Sequence, residues 1–82
     1  MWIIIRYYSN TARPTYRLDI SSNSNVLDLQ EKLFSLLKIS PSAQLLKFKR
    51  DGYTLRIIPG WDLDFYEIKE GSIIYVEKRL EI

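Results

Sequence analysis

Residues 1–8, MWIIIRYY, place Met1, Ile3, Ile5 and Tyr7 on one side of an extended chain and Trp2, Ile4, Arg6 and Tyr8 on the other. That two-residue period predicts a strand. The stretch SNTARP reads as a turn. Beyond it Tyr16, Leu18 and Ile20 alternate with Arg17 and Asp19, a second strand with one wet face. The short connection makes the pair an antiparallel hairpin. SSNSN ends it, and Asn25 is a good helix N-cap, with Asp28 placed to meet the free N–H groups of the first turn. Val26, Leu29, Leu33, Leu36 and Leu37 recur at helical spacing, so one stripe of a three-turn helix is apolar. Pro41 is expected to stop any continuation.

The second half returns to period two. Leu46 and Phe48 face one way and Leu45, Lys47 and Lys49 the other, RDG supplies a turn, and YTLRII makes another short strand. PGWDLDFYEIKEG is turn-rich, with a single helical turn expected over residues 62–66. Gly71 and Ser72 then lead into a last strand whose inward residues are Ile74 and Val76. The order is strand, strand, helix, strand, short strand, irregular segment, strand. It predicts an α+β fold: a mixed sheet of four to five strands with one helix on one face and the other face wet. The expected core is Ile3, Ile5, Leu18, Ile20, Val26, Leu29, Leu33, Leu46, Phe48, Ile68, Ile74 and Val76.

With 82 residues the chain closes one core and is expected to be a single domain, possible also as a fragment of a larger protein. Apolar residues make up 46% and charged ones 27%, a balance that suits a folded chain. Cysteine and histidine are both missing, which removes disulfides, thiol nucleophiles, imidazole bases and the usual zinc ligands. Neither a glycine-rich phosphate loop nor a paired catalytic constellation stands in their place, so no enzyme, cofactor or metal is expected. The lack of cysteine fits a reducing, cytoplasmic setting. Arg6 interrupts the first apolar run far short of a membrane span of ~20 residues, and no membrane partner is expected. The net charge of +2 is spread along the sequence without a Lys/Arg stripe, which argues against nucleic acid.

The opening MWIIIR, the hairpin strand YRLDI, the helix NVLDLQEKL with ISPS after it, the strand LLKF and the closing FYEIKEGSIIYV together resemble the ubiquitin superfamily, the β-grasp fold, over nearly the whole chain. In that family the glycine corresponding to Gly71 often adopts positive φ. Within the superfamily, LFSLLKISPSAQLLKF followed by DLDFYEIKEGSIIYV looks most like the ubiquitin-like domains of the tubulin-folding cofactors, cofactor E more than cofactor B. The resemblance implies an interaction module of a larger protein that handles α-tubulin. Conjugated members close on two glycines, whereas Arg79, Leu80, Glu81 and Ile82 cannot imitate that tail, so a non-conjugated domain is expected.

The resemblance also places Lys47 and Glu77 where ubiquitin has the central isoleucine and a valine of its aliphatic recognition patch. An imperfectly paired buried charge costs several kcal/mol, so ordinary ubiquitin receptors are not expected to bind. Ile4, Leu45 and Tyr75, framed by Arg6, Lys47, Lys49, Glu77 and Arg79, are the candidate surface for a protein partner, either α-tubulin or a neighbouring domain of the parent. A solvated face with cross-strand ion pairs is the plainer reading of the same residues. Trp2 is expected to pack under the segment holding Trp61, or else to meet another domain. Asp62, Asp64 and Glu67 opposite a basic first strand leave a third possibility, head-to-tail self-association as in PB1 modules. Helix-start acids explain Asp62 and Asp64 more simply, so a monomer is expected.

Overall fold

The computed structural model describes residues 1–9 and 12–79. Strand β1 (Trp2–Tyr8) is made of the β-branched and aromatic residues that suit a pleated, half-buried surface. It pairs antiparallel with β2 (Thr15–Asp19), setting Ile3 against Leu18 and Ile5 against Tyr16. Helix α1 (Val26–Leu37) follows, then a 3-10 turn at Pro41–Ala43, β3 (Gln44–Arg50) and β4 (Tyr53–Ile57). A second 3-10 turn at Leu63–Tyr66 precedes β5 (Ile73–Lys78). The strand order is β2-β1-β5-β3-β4. β5 runs parallel to β1 and antiparallel to β3. The described residues therefore form an α+β fold with one α-helix and a mixed sheet of five strands, the upper end of the expected range, in a β-grasp strand order.

Local chemistry explains the joints. Asn25 caps α1 with a reciprocal pair: its side-chain oxygen accepts from the Asp28 N–H at 2.9 Å, and the Asp28 carboxylate accepts from the Asn25 N–H at 3.1 Å. The helix ends at Leu37, short of the proline expected to bar its continuation. Lys38 already turns left-handed at φ 60°, its N–H donating to the Phe34 carbonyl, and Pro41 instead opens the following 3-10 turn. Asp51 and Gly52, at φ 50° and 83°, make the two-residue turn that suits the twist of the β3–β4 hairpin. Gln44, buried at the start of β3, donates from Nε2 to the carbonyls of Gln30 and Ile39 at 2.9 and 3.0 Å, tying the strand to the helix and its exit.

One contiguous core lies between the sheet and α1. It holds eleven of the twelve residues expected from the pattern; Leu18 is only partly buried and packs against its edge. Ile57, Leu63 and Tyr66 join it. The helix stripe is narrower than its leucines imply. Val26, Leu29, Gln30 and Leu33 are buried, but Leu36 is 37% exposed, because its position rotates off the sheet-facing side. The segment before β5 is pinned rather than loose: the Leu63 N–H donates to Ser24, the Val26 N–H to Trp61, and the Ile58 N–H to the Tyr66 hydroxyl. The helical turn expected over 62–66 is this 3-10 turn. No helix among the described residues is long and apolar enough to cross a membrane.

The candidate site: an aromatic and cationic sheet face

Alternation fixes which side chains leave the core. Ile3 and Ile5 of β1 point inward, so Trp2, Ile4, Arg6 and Tyr8 point outward. Residues opposite one another on paired strands share a face, and the register therefore carries this assignment across the sheet. Arg6 stands between Thr15 of β2 and Tyr75 of β5; Tyr75 faces Lys47 of β3, and Lys47 faces Arg56 of β4. These five residues form one straight row over all five strands. Beside it Ile4 lies between Arg17 and Ile73. On the other side Glu77 lies between Tyr8 and Leu45.

The rings on this face are engaged. Tyr8 and Tyr75 stack with centroids 5.8 Å apart and planes inclined by 19°. The Lys49 ammonium sits 5.0 Å from the centre of the Tyr75 ring, and the Arg13 guanidinium 5.1 Å from that of Tyr8. Each exposed contact of this kind is worth about 0.5–1 kcal/mol. Lys47 Nζ and Glu77 Oε1 approach to 3.6 Å with both side chains more than a third exposed, so solvent leaves the pair little energetic weight. Tyr8, Lys47, Lys49, Thr54, Tyr75 and Glu77 line a shallow depression of about 240 Å³.

The fold brings seven of the eight candidate residues onto one face: Ile4, Arg6, Leu45, Lys47, Lys49, Tyr75 and Glu77. Arg79 is exposed one residue beyond β5, held there by its N–H donating to the Ala43 carbonyl at 2.7 Å. Tyr8, Arg13, Arg17, Thr54 and Arg56 are the members the pattern did not single out. Arg56 was within reach of the sequence, since a two-residue turn at Asp51 and Gly52 forces Lys47 opposite Arg56. Arg13 had no such signal, because it lies in the turn between β1 and β2.

Trp2 does not pack under Trp61. Its ring carries the Arg17 guanidinium at 4.6 Å and lies against the turn at Gly71, where an added Cβ would stand 3.3 Å from the indole. The Trp2 backbone N–H donates to the Glu70 carboxylate. Trp61 stacks instead on Phe65, centroids 4.2 Å apart. Of the acidic residues near it, Asp62 stands at the start of the 3-10 turn without a side-chain capping bond, and Glu67 pairs with Arg50 at 3.5 Å, not with Arg6. Compared with known proteins, the chain matches no family model and no curated protein.

Proposed function

We propose that the domain is a non-enzymatic, non-conjugated protein-interaction module whose outward sheet face is the contact surface. The observation that carries this reading is the stacked Tyr8 and Tyr75 pair, set in a depression between Lys47, Lys49 and Glu77. Aromatic residues at the centre with charges around them are the usual make-up of an interface patch. The β-grasp order supports a ubiquitin-like module. The likeness of its helix end, its Leu-Leu strand and its acidic-aromatic stretch to tubulin-folding cofactors makes α-tubulin, or a neighbouring domain of a cofactor-E-like parent, the partner to test first.

The experiment is capture of α-tubulin on immobilised domain, wild type beside Lys47→Glu, with Lys32→Glu on the exposed side of α1 as the control. Lys47→Glu should weaken capture about tenfold. It sets two carboxylates diagonally across β3 and β5 on an exposed surface, so the melting temperature should fall by only about 2–4 °C. Equal capture by wild type and Lys47→Glu would move the contact off this face.

A further inference from the structure

From the distribution of charge over the sheet face we infer that the segment it takes is an extended, acidic peptide lying across the strands; this rests on the contact surface proposed above. Twelve basic residues are scattered through the sequence, and no stretch of it is a basic run. Strand pairing gathers them. Arg6, Arg17, Lys47, Lys49 and Arg56 stand on the outward face and Arg13 lies over it, against two carboxylates, Asp19 and Glu77. This one face carries more positive charge than the whole chain, whose net charge is +2.

Most of that charge is unspent. Among the described residues only Lys47 of the six has a carboxylate partner, while Arg13, Arg17 and Lys49 rest on aromatic rings. A cation held over a ring keeps its hydrogen-bond donors and is already positioned, so less order is lost when an anion arrives. Neighbouring strands lie ~4.8 Å apart, so the row from Thr15 to Arg56 spans about 19 Å, the reach of about six extended residues. Aspartate or glutamate at alternate positions of such a segment would meet Arg6, Lys47 and Arg56 in turn.

The same charges could attract single-stranded nucleic acid, but the rings argue against it. Base stacking needs free aromatic faces. Tyr75 carries Lys49 and Tyr8, Tyr8 carries Arg13 and Tyr75, and Trp2 lies between Arg17 and the Gly71 turn. Glu77 in the middle of the face also repels a phosphate backbone with a charge on every unit, whereas a peptide can set a neutral residue there.

The test is fluorescence anisotropy with a labelled peptide of about twelve residues alternating Glu and Ser, its Gln counterpart, and an oligothymidylate of similar length. The Glu peptide should bind and the other two should not. Arg6→Glu/Lys49→Glu should weaken binding at least about tenfold, whereas Lys32→Glu/Lys69→Glu, which changes net charge equally, should leave it within about twofold. Raising salt from about 0.05 to 0.5 M should weaken wild-type binding at least about tenfold, a readout that needs no folded variant. Equal binding of the Gln peptide, tighter binding of the oligothymidylate, or indifference to salt would overturn the inference. Capture of α-tubulin that depends on Lys47, with no affinity for the Glu peptide, would overturn it while leaving the contact surface standing. Glu-peptide binding with α-tubulin capture unchanged by Lys47→Glu would uphold it and place the α-tubulin contact off this face.

Discussion

A single hydrogen atom in place of a side chain decides how the first strand meets the last. Gly71 has φ 80° and lies against the Trp2 ring, and its N–H donates to the Trp2 carbonyl at 2.9 Å. Gly52 has nearly the same φ, 83°, but open space where a Cβ would go. The two positions therefore separate backbone strain from crowding. Gly52→Ala should cost about 1–2 kcal/mol, the left-handed penalty alone. Gly71→Ala should cost that plus several tenths of a kcal/mol, because the indole, held by Arg17, must give way. Urea denaturation of the two variants compares them directly, and equal losses would mean that Trp2 yields freely. Gly71 could be read from sequence as a glycine leading into a strand; that it seats Trp2 could not, since nothing local links residues 2 and 71.

At the scale of elements, α1 is where a pattern and its packing part company. Leu33 is fully buried, whereas Leu36 is 37% exposed although both lie at helical spacing from Leu29. Leu33→Ala should cost ~2–5 kcal/mol, the range for a leucine whose removal leaves a cavity. Leu36→Ala should cost under ~1 kcal/mol, since its contacts with water are already partly made. Equal effects in chemical denaturation would show the helix rotated about its axis. The strands, by contrast, were legible because period two leaves no third option: once Ile3 and Ile5 are inside, Arg6 and Tyr8 are outside. The helix start was legible from Asn25 and Asp28. Its last turn was legible from Leu36 and Leu37, but the cap was not, because Lys38 is an unusual residue for a left-handed cap. Leu63 and Tyr66 escaped the core pattern because they belong to a 3-10 turn, too short to show a period, held in place by the Leu63 N–H donating to the Ser24 carbonyl and the Tyr66 hydroxyl accepting from the Ile58 N–H.

At the scale of the whole molecule, the candidate face exists only through pairing of distant strands. Arg6 and Lys47 flank Tyr75 because β1 and β3 both pair with β5, the last strand of the chain. Single residues of the face were legible as outward positions, but the gathering of cations was not, since along the sequence they look dispersed. The acidic segment holding Asp62, Asp64 and Glu67 lies on the other side, its Asp62 bridged to Asn25 at the start of α1. A contact between that segment and Arg6 can therefore arise only between two copies. A contact that spread these acids along the row of cations would need them as an extended piece. Here they are wound into a 3-10 turn whose Leu63 and Tyr66 are buried in the core, and Glu67 is drawn to Arg50. Uncoiling the turn to satisfy a neighbour would expose both core residues, at about 1.5–3 kcal/mol for each large side chain. That exceeds what a few screened surface pairs return, at ~0.2–1 kcal/mol each. The domain should accordingly sediment as a monomer at about 100 µM in low and moderate salt alike. A dimer or longer chain that Arg6→Glu dissolves, and that reappears when this variant is mixed with one carrying Asp62→Lys and Asp64→Lys, would show instead that the folded turn itself is the acidic partner of the face.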